Sequence, residues 1–306
     1  MVLLKLKLKL NYLNQFPGYS FNQTPMNLFK SLKINSLILI FFISSAVAFA
    51  QSHQVATFNI RWDNPNDAGN LWKDRLPHVV DLIKFHQIDL LGVQEALQHQ
   101  LTQMSESLDY EYIGVGRDDG KDKGEFSAIL YNSKKYKLLD QGTFWLSPTP
   151  DKPSKGWDAA LNRVSTYGKF ADQRGTEFYV FNIHYDHIGQ LAREESSKLV
   201  VQQIKKINAE NLPVIWMGDF NVTPDNPAYT TITSQKDWKD ARLVSQIAYG
   251  PAGTFTGFDW EKMPEGIIDH IFVSEKIQVI RHGILSDNYG KKYPSDHFPV
   301  MVEVEF

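Results

Sequence analysis

Pro213-Val214-Ile215-Trp216-Met217-Gly218-Asp219-Phe220-Asn221 is the stretch on which the reading of this 306-residue chain turns. Residues 213–217 form a short apolar run beside a glycine, the pattern of a strand buried on both faces. The run ends on two polar side chains, Asp219 and Asn221. Polar groups beside a buried strand are costly unless paired or solvated, so such an end marks the place where a strand reaches solvent. The same figure recurs along the chain. Asn59 closes the apolar run 55–60, and Gln94-Glu95 follows residues 90–93. His184 closes 178–183, Asp269-His270 opens 269–273, and Asp296-His297 precedes 299–304. Six strand ends with chemistry-bearing side chains imply one shared rim where the strands converge.

Between these runs the periodicity changes. Residues 74–86 place Leu76, Val79, Val80 and Ile83 on one helical face, and 97–108 reads as a second helix. Residues 188–207 read as a long helix with Leu191, Leu199, Ile204 and Ile207 on its apolar side. Further strands are expected at 112–115, 126–131, 136–144, 164–170 and 177–184. Many consecutive strands mixed with helices imply two sheets packed face to face with helices outside. The stretch 146–163 contains Pro148, Pro150, Pro153 and Gly156; a loop of that length in a compact domain is usually functional or disordered. No repeat or linker appears after Gln51, so residues 51–306 are expected to form one domain.

Bulk composition narrows the function. There is no cysteine, which excludes disulfides, zinc–thiolate centres and a cysteine nucleophile. Residues 26–50 combine Lys30 and Lys33, a short apolar run at 37–43 and an Ala48-Phe49-Ala50 end, the signature of a secretory signal peptide. Met26 is the expected start and cleavage is expected after Ala50, with residues 1–25 a dispensable extension. The apolar run is shorter than the ~20 residues of a membrane span, so no stable membrane insertion is expected after cleavage, and the protein is expected outside the cytoplasm, secreted or periplasmic. Residues 1–50 hold five lysines and no acid, so the remainder carries 27 basic and 35 acidic residues, a net charge of about −8. Such a chain gains little from non-specific attraction to long nucleic acid.

The residue types at the rim define a chemistry. Carboxylate and amide oxygens suit hard cations such as Mg²⁺, Mn²⁺ or Ca²⁺. Two histidines, each near an aspartate, suit proton transfer near neutral pH. With no serine elbow and no glycine-rich phosphate loop, the set fits metal-assisted attack by water. Each residue alone is ordinary: Asn59 and the Asp219-Phe220-Asn221 stretch as turn residues, Glu95 as a helix-start carboxylate. Their joint occurrence is what argues for a site. His53, His78, His86, His99 and His282 are expected on helices or near termini and receive no role, and Trp72-Lys73-Asp74-Arg75 and Trp157-Asp158 are set down as cleft lining or as core aromatics with surface charges.

Phe58-Asn59-Ile60-Arg61, Gln94-Glu95, Asn182-Ile183-His184-Tyr185-Asp186-His187, Gly218-Asp219-Phe220-Asn221, Ile268-Asp269-His270-Ile271-Phe272 and Ser295-Asp296-His297-Phe298-Pro299 occur in this order. The series resembles the endonuclease/exonuclease/phosphatase family over about residues 54–305. The resemblance implies a four-layer α/β/β/α sandwich of two mixed sheets flanked by helices, with the site at one rim. It implies that Glu95 is the main metal ligand, with Asn59 beside it and Asp296 holding the metal through water. It implies that Asp219 orients or deprotonates the attacking water, that Asn221 contacts phosphate or metal, and that His184 and His297 flank the scissile phosphate. Asp269 then fixes the His297 ring, the job a carboxylate does for a catalytic imidazole. Arg163 is a looser candidate for a phosphate contact, because Arg suits bidentate phosphate binding.

The expected function is therefore a divalent-metal-dependent phosphoric ester hydrolase. A monomeric, secreted phosphodiesterase or nuclease acting on nucleic acid or a small phosphodiester is the leading expectation. A phosphomonoesterase or lipid-headgroup phosphodiesterase on the same scaffold is the alternative, and a catalytically inactive binding module is the alternative of another class. Arg117, Lys121, Lys123, Lys152, Lys155, Arg163 and Lys291-Lys292 are the basic residues that could form a modest phosphate-binding edge.

Overall fold

Alternation of side chains along each strand divides the hydrophobic residues among three cores. The computed structural model describes residues 52–306; the signal-peptide reading and the extension lie outside the described residues. β1 (His53–Asn59), α1 (Trp72–Phe85), β2 (Leu90–Ala96), α2 (Gln98–Leu108), β3 (Glu111–Ile113) and β4 (Phe126–Tyr131) come first. β5 (Lys137–Trp145), β6 (Val164–Ala171), β7 (Glu177–His184), α3 (Gln190–Ile207) and β8 (Val214–Asp219) follow. α4 (Pro227–Thr233), β9 (Trp238–Asp240), α5 (Ala241–Val244), β10 (Ile247–Tyr249), β11 (Asp269–Ser274), β12 (Gln278–Ile284) and β13 (Val300–Glu305) complete the chain.

One sheet has the order β10-β12-β13-β1-β2-β4-β3, the other β5-β6-β7-β8-β11-β9. Both are mixed: β1 runs parallel to β2 and antiparallel to β13, and β8 runs parallel to β7 and antiparallel to β11. On β8, Ile215 and Met217 face the layer between the sheets, with Val55, Ile129, Phe178 and Val302. Val214 and Trp216 point the other way, under α3 and α4 with Val200, Ile204 and Ile232. On β1, Ala56 and Phe58 face α1 and α2, where Val79, Ile83, Leu101 and Met104 close the outer core. The architecture is a four-layer α/β/β/α sandwich whose central strands β1, β2, β7, β8 and β11 are buried on both faces, as their unbroken apolar runs imply.

Four local expectations are corrected. Leu191 is half exposed on α3, and the buried face carries Ala192, Ser196, Ser197, Val200, Val201 and Ile204. Small residues let this helix approach closely, and the Ser197 hydroxyl bonds the Ala228 carbonyl and Tyr185. α1 begins at Trp72 rather than residue 74. Arg75 lines no cleft: it is fully buried, donating to the carbonyls of Ile60, Arg61, Asn70 and Pro294 at 2.6–3.0 Å. His53 and His282 lie on β1 and β12.

Beneath the rim a polar strut joins the sheets. Gln94 of β2 donates to Asn182 of β7 at 2.6 Å and to Thr57 of β1 at 3.0 Å. Asn182 in turn donates to the carbonyls of Val93 and Ala128. Gly92 leaves the room: a Cβ there would stand 2.7 Å from the Asn182 amide oxygen. Buried polar groups paired across two sheets fix their relative register, and hence the distance between the two halves of the rim above.

Candidate active site

Strand register assembles the first half of the site. In the second sheet His184 stands opposite Asp219, and Asp219 opposite Asp269, so three adjacent strand ends present three functional side chains in a row. His297 arrives from the segment before β13, where it bridges to Phe255, and its Nδ1 donates to Asp269 Oδ2 at 2.9 Å. Asp219 Oδ2 lies 3.5 Å from His184 Nε2 and 3.8 Å from His297 Nε2. Its Oδ1 accepts the Asn221 N–H at 2.9 Å, and the Asn221 amide donates to the Tyr185 carbonyl at 3.1 Å.

The first sheet supplies the other half. Asn59, at the end of β1, donates through Nδ2 to both Glu95 Oε1 and Asp219 Oδ2 at 3.0 Å. Glu95 sits in the irregular stretch of the β2–β4 pairing, with φ 61°. A bulge with a left-handed residue re-aims a side chain at the cost of local strain, and here it turns the carboxylate towards β1. Ser295 Oγ donates to the Asn59 carbonyl at 2.7 Å, tying the Asp296-His297 segment to the end of β1.

The nine residues singled out from the sequence thus occupy one place. Asn59, Glu95, Asp219, His184, His297 and Asp269 form one connected set of contacts; Asp296 and Arg163 line the same cavity, and Asn221 edges it. The cavity measures about 530 Å³ and is walled by Trp62, Leu161, Phe255 and Phe258. Of the basic residues proposed for a phosphate edge, only Arg163 reaches its lining. Arg117 is buried and paired with Glu125 at 2.6 Å.

Burial and neighbouring charge set the protonation states. Desolvation drives the Asp219 carboxyl up to about 7, reinforced by the charge of Asp269 and opposed by His297 and the Asn59 amide. Burial works against an imidazolium at His297, but the Asp269 and Asp219 carboxylates outweigh it and hold its pKa well above the ordinary value. Burial, then the charges of Arg163 and Arg117, push His184 well below the ordinary value, so the His184–Asp219 contact joins a neutral ring to a carboxyl. Burial also raises Asp296. Two histidines 3.5 and 3.8 Å from one carboxylate oxygen therefore act differently, one as a cation and one as a neutral ring, the separation of states that acid–base chemistry uses.

Two groups could hold a cation. Asp219, Asp269 and His297 place one ligand atom each within 4.8 Å of one another. Most of their atoms are already engaged, with His297 Nδ1 on Asp269 Oδ2 and both Asp219 oxygens accepting N–H groups, while Asp269 Oδ1 is buried without a hydrogen-bond partner among the described residues. Glu95 and Asp296 fit better: Glu95 Oε2 and Asp296 Oδ2 both face the Arg61 guanidinium, at 3.7 and 3.8 Å, so this spot already accommodates positive charge between hard oxygen donors. Asn59 turns its amide nitrogen towards Glu95 and Asp219. Its oxygen accepts the Arg61 N–H at 3.0 Å, which leaves the nitrogen to face the two carboxylates.

Several participants carried no signal strong enough to be assigned from sequence. Arg61 stood in a quoted motif without a role. His187 accepts at Nδ1 from Arg163 Nη2 at 2.9 Å; because guanidinium nitrogens only donate, the ring proton of neutral His187 must sit on Nε2. Arg163 also pairs with Asp186 at 3.3 Å, while its Nη1 is buried without a hydrogen-bond partner among the described residues. His270 donates from Nε2 to the Val222 carbonyl at 2.9 Å, pinning the turn after Asn221. Asp158 accepts the Ala192 N–H at 2.7 Å and so caps α3.

Two packed mixed sheets with this rim of carboxylates, amides and histidines define a class of phosphoester hydrolases. The chain belongs to the Endonuclease/Exonuclease/phosphatase family, whose model matches residues 56–297. Members hydrolyse phosphoester bonds and generally use divalent metals. The chain is similar to a mannosyl-6-phosphatase of Bacteroides thetaiotaomicron, 45% identical with a TM-score of 0.81, covering 83% of this chain and 100% of that one. It is also similar to a family member from Bacteroides vulgatus, 39% identical with a TM-score of 0.80, covering 84% and 99%. A probable RNA exonuclease of Saccharomyces cerevisiae is 28% identical over 179 residues, 54% of this chain and 35% of that protein.

Proposed function

We propose that the protein is a divalent-metal-dependent phosphomonoesterase acting on small phosphorylated polyols or sugars. The observation that carries this reading is the Asp219 carboxyl, buried between His184 and His297 and raised towards neutrality, at the floor of a compact cavity. Glu95 and Asp296 would hold Mg²⁺ or Mn²⁺, which when bound neutralises charge on the phosphate oxygens. Asp219 accepts a proton from the attacking water. The Asn59 amide holds Asp219 in register, and cationic His297, oriented by Asp269, stabilises the charge that develops at phosphorus. Neutral His184 and Arg163, whose Nη1 is unpaired among the described residues, bind non-bridging oxygens, and Asn221 closes the phosphate site.

Substrate size follows from the walls. A cavity of about 530 Å³ with three aromatic residues accommodates one sugar phosphate and falls within the usual range for small-molecule sites. The acidic chain and the lack of a continuous basic edge argue against a long polyanion. The 45% identical mannosyl-6-phosphatase supports the monoester, which is why it is preferred here to the nuclease expected from sequence. A phosphodiesterase is the second reading, favoured by the half-exposed Phe255 ring at the mouth, on which a base can stack.

Assay of the purified protein with Mg²⁺ or Mn²⁺ separates the two. Hexose phosphates should release inorganic phosphate at least tenfold faster than bis-p-nitrophenyl phosphate, single- or double-stranded nucleic acid, or sphingomyelin is cleaved. Faster cleavage of any diester overturns the monoester reading, and no hydrolysis of any ester overturns both. Export through residues 26–50 and a monomeric state belong to the same proposal. N-terminal sequencing of protein recovered from outside the cytoplasm should begin at Gln51, and light scattering should give the mass of one chain.

A further inference from the structure

Arg61 is held in an unusual place. It lies two residues beyond the end of β1 with φ 56°, a left-handed conformation that is unfavourable for a side-chain-bearing residue. The strain is anchored by its own N–H on Asn59 Oδ1. The guanidinium that results makes a two-point contact with Asp67, Nε to Oδ2 at 2.9 Å and Nη2 to Oδ1 at 3.3 Å. It also stands 3.7 Å from Glu95 Oε2 and 3.8 Å from Asp296 Oδ2. Glu95 Oε2 also accepts the Trp62 N–H, at a long 3.4 Å. Glu95 Oε1 is taken by Asn59 at 3.0 Å, and Asp296 Oδ1 lies 3.3 Å from Ser295 Oγ. The Arg61 side chain is about a quarter exposed, so it can swing.

We infer that Arg61 is an internal counter-ion that competes with a divalent cation for Glu95 and Asp296, and that Asp67 is the latch deciding how hard it competes. The inference rests on the reading of Glu95 and Asp296 as the cation site. A fixed positive charge close to both oxygens weakens any cation that binds there. Asp67 draws that charge aside through the short, paired contact, the geometry in which guanidinium–carboxylate bonds are strongest. The pair thus sets the divalent affinity without lending an atom to the metal, and keeps the two carboxylates neutralised when no cation is present.

The two residues therefore have opposite effects, which a merely structural role would not produce. Mn²⁺ binding to the purified protein, measured by calorimetry at fixed pH and ionic strength, reads them directly. Arg61→Gln should tighten Mn²⁺ at least tenfold, and Arg61→Lys, which keeps the charge but loses the fork, should lie between it and the wild type. Asp67→Asn should weaken Mn²⁺ by threefold or more. The double variant should match Arg61→Gln within a factor of two, because Asp67 acts only through Arg61. An unchanged or weaker Kd in Arg61→Gln overturns the counter-ion. A double variant that falls below Arg61→Gln by as much as Asp67→Asn falls below the wild type overturns the latch, since Asp67 would then act by its own charge. Glu95→Gln separates these failures from that of the underlying reading: if Glu95→Gln binds Mn²⁺ as the wild type does, or if no variant binds it, the cation site itself is wrong.

Discussion

The two central strands, β1 and β8, end in the same device and then put it to opposite uses. Asn59 accepts the N–H of Arg61, whose φ is 56°, and Asp219 accepts the N–H of Asn221, whose φ is 52°. In each case a side-chain oxygen bonds the backbone two residues on, and a left-handed residue turns the chain away from the sheet. Around Asp219 everything is buried: Asp219 and Asp269 are each 1% exposed and His297 and His184 each 5%. Around Asn59 the partners Glu95 and Arg61 keep some solvent, with side-chain exposures of 15% and 26%. Burial makes charges interact strongly and shifts protonation; partial exposure leaves oxygens that a hydrated cation can reach. On the function proposed above, one half of the rim moves a proton and the other holds positive charge, and the Asn59 amide, bonded to both Glu95 and Asp219, couples them.

The sharpest way to break that division is to compare Asp219→Asn with Glu95→Gln. Asp219→Asn removes the proton acceptor and should lower kcat by about 10⁴-fold, the upper end of what positioned acid–base groups supply. No concentration of divalent cation should restore it. Glu95→Gln should lower activity at low metal by about 10²-fold, but much of the loss should return as Mg²⁺ or Mn²⁺ is raised, because a weakened site fills by mass action. Steady-state kinetics across a metal titration decides the matter. Equal recovery of both variants would abolish the distinction between the halves.

Asp269→Asn should cost less, about 10²- to 10³-fold in kcat, because His297 remains but loses the carboxylate that orients it and holds its proton. Its pH profile is the more telling readout. Asp219 is raised to about 7 by burial and by the charge of Asp269. In wild type, activity should therefore climb with pH through the neutral range as Asp219 deprotonates, and fall at higher pH as His297 loses its raised proton. Without Asp269 the carboxyl loses a like-charge neighbour and the imidazolium an opposite one. Both limbs should then move to lower pH. An unmoved acid limb would show that Asp269 does not feel Asp219.

What could be read from sequence, and what could not, follows the same physical lines. β1, β2, β7, β8 and β11 were legible because strands buried on both faces are continuous apolar runs, and their polar ends stand out against them; β13 was legible from its strict alternation. β12 passed unnoticed: Gln278–Ile284 alternates in burial and carries Arg281 and His282, so its composition resembles a surface loop. β9, β10 and α5 are three or four residues long, too short for any periodicity. The α3 face was misjudged because Ser196 and Ser197 are buried for close packing, a choice made by the neighbours Tyr185 and Ala228 rather than by hydropathy. The rim residues were found as strand ends. Asp67 could not be, since it belongs to a loop between Asn59 and α1 and gains its meaning only from where Arg61 is turned.

The smallest expected effect concerns the strain itself. Glu95 adopts φ 61° on a bulge, in a conformation that glycine enters freely and a side-chain-bearing residue only at a cost. Its carboxylate also stands among other acidic groups, and what offsets the backbone cost is the contact with Asn59, Arg61 and the Trp62 N–H. Glu95→Gly removes the side chain yet leaves Asn59 bonded to Asp219 and Arg61 bonded to Asp67. The folded state should gain roughly 1 kcal/mol from relief at a left-handed position, offset in part by the greater freedom of glycine in the unfolded chain, so Tm should rise by about 1–3 °C while activity is lost. Asn221→Gly, at φ 52° in the buried half, should gain less, because asparagine tolerates the left-handed region better than glutamate does. A thermal melt of the two variants beside wild type tests the ranking. If Glu95→Gly melts below wild type, the bulge is not strained by its side chain, and the carboxylate is held there by favourable local contacts rather than kept for the cation.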